Sequence, residues 1–484
     1  MKKLIDILEK VAKPEISGDV DIQVSGICFD SRKVTEGCVF VAVKGTKTDG
    51  HDYIQEAIKK GCRAVLCEHL PGQLKKGISY IRVNDPAKAL GFMAAAFFSY
   101  PSDKLNLVGV TGTNGKTTIA TLLHELFRKM GYHTGLISTI QNLVDDDPVA
   151  ATHTTPDAVG LNTLLAAMIK KGCTYCFMEV SSHAITQQRI EGLKFRGGIF
   201  TNITHDHLDY HRNFRDYLKA KKSFFDCLPA SAFALINNDD RNGRIMVQNT
   251  SAEVQTYSLR SASDFKCRIL ENHMDGTLLK IEGRELWTGL IGEFNAYNLL
   301  AVYGAAVLLG MEEEKVLTVM SSFKPVRGRA EAITSVDGIT AIVDYAHSPD
   351  ALENILMTIN KIRKGSRKII TVVGAGGDRD RTKRPKMGKI AAENSDRVIL
   401  TSDNPRSEVP EDIINEMKRG ISKNISDKVI CITDRLEAIK TAFMMAVKGD
   451  IILVAGKGHE TYQEINGKRQ HFDDMEIIRD LMKK

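Results

Sequence analysis

A chain of 484 residues, with 43% hydrophobic and 26% charged side chains, has the composition of a soluble globular protein, and at roughly 100–200 residues per domain it holds about two to four domains. Its formal net charge of +6 is too mild to require nucleic acid, while the slight excess of Lys and Arg suits anionic substrates such as nucleotides. Nine cysteines without repeated spacing exclude a disulfide scaffold and fit a reducing compartment, and no apolar run approaches the ~18 residues of a membrane-spanning helix.

The N-terminal stretch MKKLIDILEKVAKPE starts basic but carries Asp6, Glu9 and Lys10 where a secretory signal needs an unbroken apolar run. No signal is expected, and the cytoplasm is the expected location. Over residues 1–100, short apolar runs alternate with helical patterns. Segments 38–43, 63–68 and 79–83 predict strands, and 53–61 predicts an amphipathic helix closed by Gly61. Residues 91–98, GFMAAAFF, are too few to cross a bilayer and predict a buried helix. The segment reads as a small α/β domain that contains Asp30-Ser31-Arg32 and leaves through a linker at 99–105.

Residues 101–330 begin a new pattern. The run 105–110 predicts a buried strand and 118–131 a helix, and between them lies Gly112-Thr113-Asn114-Gly115-Lys116-Thr117-Thr118. Backbone N–H groups at such a turn, with the helix dipole, cradle phosphates. Lys116 is placed to pair with the β- and γ-phosphates, and Thr117 to reach Mg²⁺. The common spacing asks for glycine at 110, where this chain has Val110, so the loop is a variant. Runs at 173–180, 198–203 and 233–238 predict further buried strands, and their alternation with helices predicts a mostly parallel sheet covered on both faces. Cys173 and Cys176 form a lone C-x-x-C inside one of these runs and read as core residues.

The polar motifs follow the strands. Thr154 and Thr155 lie in a polar turn; Glu179 ends a strand, at the sheet edge where ligands bind, with Ser181, Gln187 and Arg189 just beyond. His205, His207 and His211 follow the next strand, but no cysteine partner or H-E-x-x-H helix supports zinc. Lys219, Lys221 and Lys222 crowd a helical segment that, taken alone, reads as a solvated face. Asn295 lies in GEFNAYN, ahead of an apolar helix, and PVRGRAE (325–331) marks the entry to the last domain. Residues 331–484 repeat the strand–helix grammar, with strands predicted at 340–346, 368–377, 396–403, 428–434 and 450–456. Asp344 opens DYAHSPD. Arg379 breaks a possible G-x-G-x-x-G in GAGGDRD, which rules out a dinucleotide fingerprint. Asp403-Asn404-Pro405-Arg406 and Gly456-Lys457-Gly458-His459-Glu460 each follow a strand.

The loop TGTNGKTT resembles the nucleotide loop of the Mur ligases and of their folylpolyglutamate synthetase relatives, which couple ATP cleavage to amide formation through an acyl phosphate. Matching motifs fall in family order from Ser31 to Glu460. The resemblance implies an α/β protein of three domains: a small N-terminal domain for the UDP-substrate (1–100), a central P-loop domain with a mostly parallel sheet for ATP (101–330), and a C-terminal Rossmann-like domain for the amino acid (331–484). It implies that Lys116, Glu179, His207 and Lys221 are catalytic, that residues 112–118 hold the phosphates, and that Asn295 and Asp344 meet the adenine and ribose of ATP. Mg²⁺ would be held by Thr117, Glu179, His207 and a carbamylated Lys221. Ser31, Thr154, Thr155, Ser181, Gln187 and Arg189 would hold a UDP-linked muramoyl dipeptide.

Asp403-Asn404-Pro405-Arg406 is similar to the motif of family members that add meso-diaminopimelate in cell-wall synthesis, with Arg379, Gly456 and Glu460 as further contacts. The physics agrees with this. Diaminopimelate carries an amine and a carboxylate at its far end, where lysine has the amine alone. Arg406 can pair with that carboxylate in a two-bond fork, and an arginine left unpaired by lysine would cost about 2–5 kcal/mol. The expected partners are therefore these small molecules, with no nucleic acid, no membrane insertion and a monomeric chain. A lysine-adding ligase, a folylpolyglutamate synthetase and a non-catalytic nucleotide-binding protein are the competing readings; Arg406, the separate N-terminal domain, and the joint presence of Lys116, Glu179, His207 and Lys221 argue against them in turn.

Overall fold

Apolar runs form the strands of three main sheets, and helices cover their faces. The structure, a computed structural model, describes residues 1–45, 48–150, 153–204, 210–211 and 213–483. The N-terminal sheet has five strands in the spatial order Glu15–Ser17, Ser79–Arg82, Ala64–Cys67, Val39–Val41 and Ile27–Cys28, parallel except for the first. Helix Pro86–Phe97 covers it: Asp85 caps its start with Pro86 in the first turn, and Met93, Ala94 and Ala95 are buried. Ser99 and Tyr100 both turn left-handed (φ 62° and 51°) before the short helix Pro101–Lys104, which breaks the chain direction at the expected linker.

The central sheet has eleven strands. At its middle, Asn106–Thr111 lies between Tyr175–Glu179 and Gly197–Phe200, all parallel. Alternation along these strands sends Val108, Val110 and Phe177 to one face, against helices Lys116–Lys129 and Glu293–Leu308. Leu107, Cys176 and Met178 go to the other, against Ala158–Lys170 and Phe214–Asp226. Cys173 and Cys176 are thus buried core residues, as expected. The chain passes from Asn106–Thr111 to one side and later crosses to Gly197–Phe200 on the other. That reversal opens a crevice at the carboxyl edge, where ligands bind in open α/β sheets.

The C-terminal sheet runs Glu331–Thr334, Thr340–Asp344, Ile451–Ala455, Ile369–Val373, Arg397–Leu400, Val429–Cys431, parallel except for the first. Several predicted strands end early: 368–377 stops at Val373, 396–403 at Leu400, 340–346 at Asp344 and 198–203 at Phe200. In each case the polar or glycine-rich tail leaves the ladder and forms the turn at the carboxyl edge. The antiparallel strands between 265 and 288 and the hairpins at 142–149 and 462–471 lack a continuous apolar run, so the sequence gives them little signal. Phe265–Asn272 and Arg284–Thr288, for instance, have one solvated face, with Leu270 and Trp287 exposed.

Candidate active site

The carboxyl edges of the central and C-terminal sheets line one cleft of roughly 1310 Å³. Strand Asn106–Thr111 delivers the 112–115 loop to its floor, and helix Lys116–Lys129 leaves it. Only glycine fits at 112: φ is +149°, and a Cβ would lie 1.9 Å from Thr201 Oγ1. The neighbouring strand end holds the loop in place. Thr113 N–H donates to Asn202 O (2.8 Å), Asn114 N–H to Asn202 Oδ1 (3.0 Å), and Thr201 Oγ1 to Asn114 O (2.6 Å). Lys116 Nζ folds back to donate to Gly112 O (3.0 Å) and Thr113 O (2.8 Å). Val110, at the position where the common loop has glycine, is a core residue of the strand.

Glu179 is 1% exposed, and its Oε1 accepts Thr139 N–H at 2.7 Å. Lys221 is also 1% exposed; its Nζ donates to Gly112 O (2.8 Å) and lies 4.8 Å from the centre of the Tyr217 ring. The lysine run therefore divides: Lys221 points inward, Lys219 is exposed, and Lys222 pairs with Asp226 at 2.6 Å. The solvated-face reading does not hold for Lys221. His205 and His207 lie outside the described residues, and buried His211 sits with Nε2 3.0 Å from Ser182 Oγ. Among the described residues no three His, Cys, Asp or Glu side chains converge on a point suited to a metal. Mg²⁺ asks for less, because it keeps several waters and needs one or two carboxylates beside phosphate oxygens. The Thr117 hydroxyl and the Glu179 carboxylate, both lining the cleft, are hard oxygen donors that fit Mg²⁺, and a carbamate on Lys221 would add a third.

Beside Glu179 lies a tight polar cluster. Thr155 Oγ1 donates to Glu179 O (2.8 Å) and accepts Ser181 N–H (3.2 Å); Ser181 Oγ accepts Ala184 N–H (3.2 Å) and so caps Ser182–Thr186. Arg189 Nη1 donates to Thr155 O (2.7 Å), and its Nε (3.0 Å) and Nη2 (2.5 Å) to Gln187 Oε1. Burial pushes the Arg189 pKa down, with Asp157 offsetting part of the effect, so an incoming anion would be welcome there. Thr154, Thr155, Ser181 and Arg189 line the cleft, while Gln187 supports Arg189 from behind. Ser31 heads the turn Ser31–Lys33 in the N-terminal sheet region and does not line the cleft.

The C-terminal sheet contributes groups that the sequence reading did not single out. Arg329 Nη2 donates to Thr117 Oγ1 at 3.0 Å, its guanidinium lies 4.6 Å from the Tyr345 ring centre, and its buried Nε has no partner among the described residues. Asp350 accepts Asn114 Nδ2 at 2.8 Å. Asp344 accepts Ala330 N–H at 2.7 Å, and burial raises its pKa to about 6 against the pull of Arg329 and two backbone N–H groups. Arg329 and Asp350 sit within PVRGRAE and DYAHSPD, so their motifs were visible though their reach across to the loop was not. Asn295 turns into its own helix, donating to Ile291 O (2.9 Å) and accepting from Asn298 Nδ2 (3.1 Å). It is Asn298 that lines the cleft. His459 is held neutral by burial and by the surrounding Arg329, Arg327, His347 and Lys457, with its pKa near 3.

The 403–406 turn and the 456–460 turn meet at the far end of the cleft. Gly456 is left-handed (φ +116°), and a Cβ there would lie 2.5 Å from Asp403 Oδ2, so glycine is what lets the turns touch. Asn404 Nδ2 donates to Glu460 Oε2 at 2.6 Å. Burial and the neighbouring Asp403 raise the Glu460 pKa, with Lys457 and Asn404 opposing. Arg406 has φ 53°, a strained value for arginine, and its Nη1 donates to Gly377 O at 2.5 Å. Arg379, Asp403, Asn404, Arg406, Gly456 and Glu460 line the cleft, and Pro405 carries the bend between them. A charge-rich pair of turns thus shares one cavity with the glycine-rich 112–118 loop.

Known proteins resemble this chain along its whole length. Residues 23–98 match the profile described as Mur ligase family, catalytic domain; 110–306 match Mur ligase middle domain; and 328–458 match Mur ligase, glutamate ligase domain. A UDP-N-acetylmuramoyl-L-alanyl-D-glutamate–2,6-diaminopimelate ligase of Phocaeicola vulgatus is 57% identical over 99% of each chain, and one of Bacteroides fragilis likewise 57% over 99% of each. A solved structure with the same ligase title is 32% identical, covers 100% of this chain and 99% of its own, and superposes with a TM-score of 0.70.

Proposed function

The chain belongs to the Mur ligase family, and on that premise we propose how its cleft carries out the family reaction. It is an ATP-dependent ligase that joins 2,6-diaminopimelate to the D-glutamate of UDP-N-acetylmuramoyl-L-alanyl-D-glutamate, in peptidoglycan synthesis. One observation carries the assignment of roles. The Lys116 loop and the Arg406–Glu460 recess line one cavity, so an acid activated at the first lies within reach of an amine held at the second.

ATP lies on residues 112–118, with Lys116 swinging from its loop carbonyls to the transferring phosphoryl oxygens. Asp344 takes the ribose, and Asn295, through Asn298, shapes the adenine side. The D-glutamate carboxylate attacks the γ-phosphorus, giving an acyl phosphate and ADP. The diaminopimelate amine attacks the acyl carbon, and phosphate leaves. Thr117, Glu179, His207 and carbamylated Lys221 would hold Mg²⁺, which neutralises the crowded phosphate oxygens. Arg189 meets an anionic group of the UDP-linked dipeptide, positioned by Gln187 and Thr155, with Thr154 and Ser181 beside it and Ser31 at the uridine end. Arg406 and Arg379 hold carboxylates of meso-diaminopimelate, and Asp403, Asn404, Gly456 O and Glu460 take its far amine, on the bend set by Pro405.

Residues 1–100 thus serve the UDP end, 101–330 the ATP and 331–484 the amino acid. Among the described residues no helix is long and apolar enough to cross a membrane; the protein works on small molecules, in this reading as a cytoplasmic monomer. Incubation with the UDP-linked dipeptide, ATP, Mg²⁺ and meso-diaminopimelate should yield a product heavier by one diaminopimelate less one water, together with equimolar ADP. Unchanged dipeptide by mass spectrometry, with protein shown folded, would overturn the reading.

A further inference from the structure

Lys457 is 0% exposed, yet it carries an ammonium. Burying such a charge is costly unless it is paired. Every hydrogen bond of its Nζ lies inside the amino-acid recess: to Asn404 Oδ1 (3.3 Å), to Glu460 Oε2 (3.3 Å) and to Tyr462 O.

We infer that Lys457 is a specificity-determining residue: its buried ammonium cancels one of the two carboxylates of the recess, so that the recess as a whole matches an amino acid whose far end is a zwitterion. The inference rests on the reading of 403–406 and Glu460 as the amino-acid site. Four charged side chains sit on the 403–406 and 456–460 turns themselves: Asp403 and Glu460 are acidic, and burial together with the neighbouring Asp403 raises the Glu460 pKa; Arg406 and the buried Lys457 are basic. On these two turns the formal charges cancel, and Arg379, on the adjacent 376–379 turn, is left for the second carboxylate. Directly beneath, Arg435 and Asp474 form a fully buried pair and add nothing to the balance. Arg469 lies 4.3 Å from the Tyr462 ring centre and is paired with Glu464 at 3.3 Å. A far end bearing both ammonium and carboxylate also sums to zero, so each of its charges finds a partner and none is left over.

Lys457 also fixes where the arginine stands. Its bond to Tyr462 O anchors the hairpin strands Tyr462–Ile465 and Lys468–His471. That hairpin grips Arg406 by its backbone on both sides, through Arg406 N–H to Glu464 O (3.0 Å) and Asn466 N–H to Arg406 O (2.7 Å). Without the ammonium the 403–406 and 456–460 turns together would carry a net negative charge. It would repel a far carboxylate and favour a far end that is an ammonium alone.

The test compares kcat/KM for meso-diaminopimelate and for L-lysine in one preparation, at saturating ATP and UDP-linked dipeptide. In Lys457→Met the ratio of the two should fall about tenfold or more, the equivalent of ~1.4 kcal/mol, with KM for ATP unchanged. Removing the matching negative charge as well, in Lys457→Met with Glu460→Gln, should restore the preference for diaminopimelate even though both rates drop. Equal loss with both amino acids in the single variant, or a double variant without preference, would overturn the inference. Should the single variant fail to fold, the double variant decides alone: preference kept supports the inference and preference lost overturns it. Arg406→Met separates the two levels of the argument. If it leaves the wild-type preference intact, or if the wild type has none, the site assignment itself has failed; if it abolishes the preference while the Lys457 variants keep theirs, only the role of Lys457 falls.

Discussion

Single side chains set the electrostatics of the cleft. Lys116 donates to two loop carbonyls, so replacing it should spare the fold and remove stabilisation of the transferring group. Lys116→Met is expected to lower kcat by about 10²–10³-fold, the scale of one preorganised donor, with the melting temperature nearly unchanged. Asp344 gives the acid limb. With a pKa near 6, its carboxylate takes up a proton as the pH falls through that value, and it then loses acceptor capacity for Ala330 N–H and the ribose. kcat/KM for ATP should fall below about pH 6, and Asp344→Asn should flatten that limb at a lower plateau. Unfolding is not the cause. The folded pKa lies above the ~3.9 of a free carboxyl, so the folded state holds the extra proton and this group adds stability as the pH drops from about 6 towards that value. At this scale the sequence was a good guide where one residue type has one use. The strand-end positions of TGTNGKTT and Glu179 were legible, and both line the cleft. Asn295 reads less well: Glu293, Phe294, Tyr297 and Asn298 of the same helix line the cleft while Asn295 bonds within the helix, and composition does not say which face is presented. Lys221 differs from its neighbours only in pointing inward, which takes the helix packing to see.

Elements hold these side chains through buried ion pairs at the sheet edges. Arg435, at the start of helix Arg435–Met445, donates to Asp474 through Nε (2.8 Å) and Nη2 (2.7 Å), both residues fully buried, and Nη2 also reaches Ala455 O at the end of the strand that delivers Gly456. Asp474→Asn leaves the guanidinium without its counter-charge and should cost about 3–5 kcal/mol in unfolding free energy, seen as an earlier denaturation midpoint. A neutral result would mean the pair is replaceable by packing alone. Arg384, 1% exposed, ties Glu408 (2.7 Å) and Glu416 (2.8 Å) to the loop after Ile369–Val373 in the same manner. Strand and helix cores were legible because they are apolar and periodic. The ends of the strands were not, because a run such as 368–377 stays apolar or small past the point where its last residues must turn to form the recess. The hairpin at 462–471, which positions Arg406, is mostly polar, and its cue is confined to the Asn466-Gly467 turn.

At the scale of the whole molecule, the Lys116 loop and the Arg406–Glu460 turns, the proposed sites of activation and ligation, line one cavity walled by two sheets. Contacts across it already join them: Arg329 to Thr117, Asn114 to Asp350 at 2.8 Å, and Glu293 to Lys361. A nucleotide entering the loop must draw Arg329 from the Thr117 hydroxyl to its phosphates. Arg329→Met should therefore lower kcat/KM for ATP by the equivalent of about 1.5–3 kcal/mol, the scale of a charge-assisted hydrogen bond, while KM for diaminopimelate moves little. Such reach between sheets could not be read from sequence, since Arg329 and Thr117 are 212 positions apart. The order of motifs announced the parts, and only the fold shows that the Arg406 recess opens onto the Lys116 loop. The most direct measurement of that union is phosphate release from ATP with Mg²⁺ and UDP-N-acetylmuramoyl-L-alanyl-D-glutamate, compared between meso-diaminopimelate and L-lysine. Rapid release with diaminopimelate and little with lysine is the predicted result. Equal release with both, or release that needs no amino acid at all, would contradict it.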